Sequence, residues 1–188
     1  MEKKRSISTK KIVFTALMAA LVAVGSALRV TLPMDIGGNT SFHLGNIFCA
    51  LSGILLGPWL GGMAAGLGSA IYDMMNPAYI AECWLTFLMK GAYGLASGLI
   101  ICIGKKEWAY VKAVIATFVG AAVYAALYLA KSYLKAILVQ GVAAEAATLS
   151  VIGKLPATIF NAAVALVFAP ILAVAIRKAL EKNRLTLN

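Results

Sequence analysis

Lys90 is the residue of this sequence whose chemistry is most telling, because it stands inside the apolar stretch WLTFLMKGAYG. An ionisable side chain in apolar surroundings is costly and needs a partner. The sequence offers the carboxylates of Asp73 and Glu82, or an acidic group on a ligand. A lysine ammonium binds carboxylates and phosphates through charge-assisted hydrogen bonds. The predicted chemistry is therefore recognition of an anion, with structural pairing to Asp73 or Glu82 as the alternative.

Other polar and aromatic side chains occur near the same ends of the apolar stretches and could form a binding site with Lys90. Lys131 and Lys135 share a helical face, so they either bind a ligand or extend toward lipid headgroups. The aromatic residues either form an interface belt or stack on a ligand ring. The predicted substrate-binding residues are Asn39, His43, Asn46, Asp73, Tyr79, Glu82, Trp84, Lys90, Lys131 and Asn161.

Motifs for catalysis or for metal binding are missing from the sequence. It has no GxxxxGK[ST], HExxH or GxSxG pattern, and its single histidine cannot build a histidine-rich metal site. The three cysteines show no CxxC spacing, which favours small buried apolar side chains over ligands. We therefore expect no enzyme activity, no cofactor and no metal.

The composition is that of a membrane protein. Hydrophobic residues make up 62% and charged residues 13% of the 188 residues, whereas a soluble domain carries about 25% charged residues. The uncharged stretches 12–28, 43–72, 113–130 and 155–176 approach or exceed the roughly 20 residues of a membrane span. The net charge of +10 is concentrated before the first stretch, around residues 105–112 and after the last stretch. This pattern indicates cytoplasmic loops and excludes a nucleic-acid interface.

Both termini inside the cell require an even number of spans. The longest uncharged stretch is broken at Gly57-Pro58, because a helix usually ends before the residue that precedes proline. The predicted spans are 11–32, 42–56, 59–75, 83–104, 108–139 and 150–177, with outer loops at 33–41, 76–82 and 140–149. We therefore expect an all-α integral membrane protein, a compact six-helix bundle at 11–177 between a basic N-terminus, 1–10, and a basic tail, 178–188.

Small residues four positions apart recur in the first and third spans. In lipid, such residues let helix backbones approach closely. In the third span they recur on more than one face, which predicts packing inside the bundle. In the first span Ala16, Ala19, Ala20 and Ala23 form the same pattern, which fits either packing inside the bundle or docking of a separate membrane protein.

Four stretches together resemble a known family. They are TALMAALVAVGSAL in the first span, LLGPWLGGMAAGLGSAIYDM over the second and third, the loop NPAYIAE, and TFLMKGAYGLASGLI in the fourth. The sequence resembles the substrate-binding S component of energy-coupling factor (ECF) vitamin transporters. The resemblance implies a bacterial plasma-membrane protein with a vitamin-binding cup that opens outward, formed by the outer loops and the last three helices. It also implies that Ala16, Ala19, Ala20 and Ala23 dock on a transmembrane scaffold subunit that works with two cytoplasmic ATPases.

The vitamin is left open by the residues. Basic side chains in the outer half slightly outnumber acidic ones, which favours a ligand with a carboxylate or phosphate, such as pantothenate or folate. Cobalamin, riboflavin and a pyridoxine-like compound stay open. Nickel or cobalt is disfavoured by the resemblance, because family members that bind these metals usually begin with a Met-His-type metal-binding N-terminus, whereas this chain begins Met1-Glu2. The alternatives from other classes are a proton-coupled secondary transporter and a membrane assembly factor that transports nothing.

Overall fold

The computed structural model describes residues 8–32, 39–103 and 109–183. These residues form a bundle of six α-helices with one β-hairpin. The elements are α1 (Thr9–Ala27), β1 (Arg29–Leu32), β2 (Thr40–His43), α2 (Gly45–Leu56), α3 (Pro58–Met74), α4 (Cys83–Cys102), α5 (Ala109–Leu134) and α6 (Ala144–Lys182). A 3-10 turn, Ile80–Glu82, leads directly into α4, and a π-helical segment, Lys135–Val139, continues α5.

Four segments are long and apolar enough to cross a membrane: Thr9–Ala27, Ile80–Cys102, Ala109–Val139 and Ala144–Lys182. α2 and α3 are shorter, with 12 and 17 residues, whereas a perpendicular span takes about 20 residues. The described residues therefore form an all-α membrane protein with four candidate spans. Passage of all six helices through the bilayer, and cytoplasmic termini, stay predictions.

The break predicted at Gly57-Pro58 separates α2 from α3. Gly57 has a φ of 80°, in the left-handed region that favours glycine, and Pro58 occupies the first turn of α3. Proline suits this position because its missing N–H would have no partner inside the helix there. The two helices are consequently joined by a single residue, which keeps α2 tightly against α3.

The predicted first span, 11–32, is wrong at its C-terminal end. α1 ends at Ala27, and residues 29–32 pair antiparallel with 40–43, with Arg29 opposite His43 and Leu32 opposite Thr40. Arg29 Nε donates a hydrogen bond to Ser26 O at 2.7 Å, which satisfies a carbonyl at the end of the helix. The following Val30 and Thr31 are β-branched and favour the strand. The predicted second span, 42–56, is wrong at its start, because residues 42 and 43 belong to β2 and α2 begins at Gly45.

The predicted outer loop 140–149 is also wrong in part. α6 begins at Ala144 and runs for 39 residues to Lys182, beyond both ends of the predicted span 150–177. Its first turn is built from alanines with Glu145, which are strong helix formers and place a carboxylate at the positive end of the helix. The search for uncharged stretches missed this turn because the charged Glu145 and Lys154 interrupt the apolar pattern.

Small residues allow close packing on three sides of α3. A methyl group added to Gly61 would lie 2.5 Å from Gly53 Cα of α2. On Gly66 it would lie 2.8 Å from Phe87 O of α4, and on Gly68 it would lie 2.8 Å from Val22 Cβ of α1. The glycines predicted to serve more than one face of this helix do so, because their missing side chains leave room for three neighbours.

Two glycines of α4 test this packing as a matched pair. A methyl group on Gly94 would lie 2.6 Å from Gly61 O of α3, whereas on Gly91 its nearest neighbour would be Gly62 O at 3.5 Å. We expect Gly94→Ala to lower the free energy of unfolding by about 1–3 kcal/mol, since backbone must shift to admit the methyl group. Gly91→Ala should be neutral or stabilising by up to about 1 kcal/mol. Thermal unfolding of both variants in detergent measures the difference, and equal melting temperatures would contradict the packing described.

Candidate functional site

A polar cavity lies at the hairpin end of the bundle. Its walls come from the hairpin, the turn before α4 and helices α1 to α6. The core below it is apolar, with Val22, Leu51, Ile54 and small residues such as Ala116 almost fully buried. The polar side chains thus occupy one end of the bundle above an apolar floor.

Nine of the ten predicted site residues line this cavity: Asn39, His43, Asn46, Asp73, Tyr79, Glu82, Lys90, Lys131 and Asn161. Their ability to bind a substrate stays a prediction. Trp84 does not line the cavity, and 60% of its surface is exposed at the start of α4. An exposed tryptophan at the start of a helix fits the other interpretation of the aromatic residues, a belt at the membrane–water interface.

Lys90 is buried, with 4% of its surface exposed. Its ammonium donates a hydrogen bond to Asn46 Oδ1 and lies 4.0 Å from the centre of the Tyr124 ring. Both partners are uncharged, and the pairing with Glu82 considered from the sequence is wrong because the Glu82 carboxylate contacts other lysines. Neither the amide nor the aromatic ring carries a full negative charge, so the Lys90 ammonium can still attract an anionic group into the cavity.

Glu82 joins the turn before α4 to the C-terminal end of α5. Its Oε2 contacts Lys131 Nζ and its Oε1 contacts Lys135 Nζ. The two lysines therefore do not simply extend into lipid headgroups, which was one interpretation of their spacing. Lys154 of α6 lies beside them, with its Nζ 3.2 Å from Ser132 Oγ and only 1% of its surface exposed.

Two tyrosines of α5 belong to the site and were missed by the sequence analysis. Tyr124 and Tyr128 line the cavity, and their ring centroids are 5.9 Å apart in a stacked arrangement. The signal that could have found them is their spacing from the lysines. Positions 124, 128, 131 and 135 follow one another by four, three and four residues, so they share one helical face.

The hairpin is held over the cavity by contacts from three directions. The Arg29 guanidinium stacks 4.2 Å from the Tyr72 ring centre and 4.9 Å from that of Tyr79. Asn161 of α6 accepts a hydrogen bond from His43 N at 2.9 Å and donates one to Ser41 O at 2.8 Å. Both ends of the Asn161 amide thus bind the backbone of β2, which indicates that this residue positions the hairpin.

His43 and Asp73 complete the wall around Lys90. Burial lowers the pKa of His43 well below its usual range, and the charges of Lys90 and Arg29 lower it further. Its Nδ1 is buried without a hydrogen-bond partner among the described residues, so the imidazole offers a hydrogen-bonding nitrogen to a ligand. Asp73 is buried and lines the cavity together with Thr86.

The lining carries an excess of positive charge. Among the described lining residues five are cationic, namely Arg29, Lys90, Lys131, Lys135 and Lys154, and two are carboxylates, namely Asp73 and Glu82. Within the same ranges no group of three or more His, Cys, Asp or Glu could hold a metal ion. What this arrangement can do is bind an anion by charge-assisted hydrogen bonds in partly desolvated surroundings.

The four alanines of α1 are divided by the structure. Ala16 and Ala20 are exposed, on one face with Val13, Leu17 and Val24. Ala19 is buried with 8% of its surface exposed, and its backbone lies against Gly68 of α3. Ala23 is half-buried. Ala19 therefore packs inside the bundle, whereas Ala16 and Ala20 offer a surface of small side chains.

Comparison with known proteins agrees with the resemblance noted in the sequence. The family model described as "ECF-type riboflavin transporter, S component" matches residues 6–178. A segment of 95 residues is 30% identical to a UPF0397 protein of Streptococcus gordonii and covers 50% of this chain and 48% of that protein. No solved structure matches the chain. Because the family match extends over most of the chain, this protein belongs to the family of ECF-type riboflavin transporter S components.

Proposed function

We propose that this chain is the subunit of an ECF-type importer that captures a vitamin-class molecule carrying a carboxylate or a phosphate. The observation that supports this most directly is the cavity lining, in which five cations face two carboxylates. Such an excess destabilises an empty, partly buried site and is relieved by an anionic ligand. Pantothenate and folate have the required acidic group.

Riboflavin enters as a second candidate because the description of the matching family names it. It has no charged group, so it would leave the excess lysines without a new partner. The stacked rings of Tyr124 and Tyr128 favour this candidate, since an aromatic surface at the cavity wall suits a flat ring system. The two candidates differ in charge, which makes them separable in one set of titrations.

Delivery of the substrate depends on partners in this proposal. The exposed face with Ala16 and Ala20 docks on a transmembrane scaffold subunit, and two cytoplasmic ATPases drive the cycle. The cavity faces the outside of a bacterial plasma membrane, both termini lie in the cytoplasm, and all six helices cross the bilayer. The basic residues at the start of α1 and the end of α6 support this orientation.

Release of the bound compound tests the capture step. We expect the full chain, purified from bacterial membranes in detergent and then denatured, to release an acidic vitamin that mass spectrometry identifies. Titration with pantothenate, folate and riboflavin then ranks the candidates. Tight binding of riboflavin alone would contradict the proposal of an acidic ligand but would still agree with vitamin capture by an S component. Binding of no vitamin would contradict capture itself and favour the assembly factor.

Transport measurements test the need for partners. We expect no ATP-dependent accumulation in liposomes that hold this chain alone, because its sequence contains no GxxxxGK[ST] phosphate-binding loop. Accumulation should appear when the scaffold subunit and ATPases are added. Uptake by the chain alone that follows a proton gradient would instead establish the secondary transporter.

A further inference from the structure

We infer that Glu82 occupies the position that an anionic substrate group takes, and that binding of this group displaces Glu82 from its lysines. For a vitamin the inference rests on the proposed function. Its physical basis is the ion-pair cluster of Glu82, Lys131 and Lys135, which exists whatever the substrate is. The class of ligand it assigns to this end of the cavity is a carboxylate or a phosphate.

The cluster has the geometry of an anion site. Each oxygen of the Glu82 carboxylate contacts a different ammonium, Lys131 Nζ or Lys135 Nζ. Lys154 is close enough to both lysines and to Glu82 to interact with their charges. All four side chains line the cavity. A substrate carboxylate or phosphate oxygen reaching these ammonium groups would take the place that Glu82 Oε1 and Oε2 now hold.

Charge favours exchange of Glu82 over addition of a second anion beside it. Two lysines contact this one carboxylate, and Lys154 is close enough to interact with its charge, so this end of the cavity has a positive excess that attracts an anion. Once the anion contacts Lys131 and Lys135, it and Glu82 repel each other across the same two ammonium groups. The repulsion is strong because the cluster is only partly exposed, with side-chain exposures of 19% for Lys131 and 24% for Glu82.

The carboxylate is also the partner that can move. Lys131 lies on α5, whose 26 residues hold it in place, and Lys135 continues from that helix. Glu82 ends the short turn Ile80–Glu82, in which Ile80 is 52% exposed. Although Glu82 precedes α4, its side chain makes no capping hydrogen bond to that helix. Displacing the carboxylate therefore leaves the start of α4 intact and frees the turn.

Inorganic phosphate is the probe that tests the exchange without a vitamin. Glu82→Gln removes the internal carboxylate and keeps the side-chain size. We expect phosphate, compared with chloride at equal ionic strength, to raise the melting temperature of Glu82→Gln, with an apparent affinity about tenfold tighter than for the unchanged chain. Adding Lys131→Met to Glu82→Gln should abolish the effect. Glu145→Gln, an exposed change outside the cavity, should respond as the unchanged chain does.

Hydrogen exchange in the unchanged chain gives a second measurement that needs no variant. The Glu82 amide donates to Tyr79 O at 2.9 Å, and the Ile80 amide donates to Asn76 O at 3.1 Å. We expect saturating phosphate to speed exchange at both amides, because the turn is released. Slower or unchanged exchange, or equal phosphate responses of Glu82→Gln and Glu145→Gln, would overturn the inference. Because no vitamin is used, this outcome is independent of a failure to find a bound vitamin.

Discussion

Replacement of Lys90 by methionine is expected to weaken substrate binding about ten- to hundredfold while the fold survives. Lys90 contacts an amide oxygen and an aromatic ring, and no carboxylate among the described residues forms an ion pair with it. Lys90→Met therefore removes a charge-assisted hydrogen bond to the substrate worth about 1.5–3 kcal/mol. Leaving the buried Asn46 oxygen without this bond lowers the free energy of unfolding by about 1–3 kcal/mol. Titration of the vitamin that the purified protein releases, with thermal unfolding of the same sample, measures both quantities.

The matched control is Lys182→Met, which removes an exposed lysine at the far end of α6. It should change neither affinity nor melting temperature. Unchanged affinity of Lys90→Met with a clearly lowered melting temperature would show that Lys90 stabilises the bundle and does not hold the substrate.

The double change Ala16→Leu with Ala20→Leu is expected to abolish co-purification with the scaffold subunit and to leave substrate affinity unchanged. Both alanines are exposed on α1 and lie away from the cavity. A close helix neighbour needs small side chains on this face. In lipid no hydrophobic effect holds two helices together, so their association depends on close van der Waals packing. Co-purification from membranes that hold all four subunits, followed by a substrate titration, measures both outcomes.

A second pair of exposed alanines provides the control for bulk and hydrophobicity. Ala122 and Ala126 on α5 are also exposed and four residues apart. Ala122→Leu with Ala126→Leu should leave the complex intact. Survival of the complex with the changed α1, or its loss only with the changed α5, would contradict docking through Ala16 and Ala20. Ala19 is unsuitable for this test, since its burial against α3 makes a larger side chain destabilising.

For several predicted site residues, the structure identifies contact partners that the sequence does not predict. Lys131 and Lys135 were recognised as neighbours on one face, but their common partner is Glu82, which lies 49 and 53 residues away along the chain. Asn161 was placed at the site, and the structure shows that it binds the β2 backbone. Spacing within a helix identifies a face, whereas the partner across that face depends on how the helices are arranged.

Composition and local pattern by themselves determined that this chain is a membrane protein, that a helix break lies at Gly57-Pro58 and that the polar side chains gather at one end of the helices. These are properties of short segments, because apolar length, glycine, proline and charge act on the nearest backbone. The tertiary structure alone decided that residues 29–32 and 40–43 form a hairpin, that Trp84 lies outside the cavity, and that Ala19 is buried while Ala16 is exposed. A helix pattern sets the angle between side chains but not the direction they face, since that direction is fixed only when the neighbouring helices pack against it.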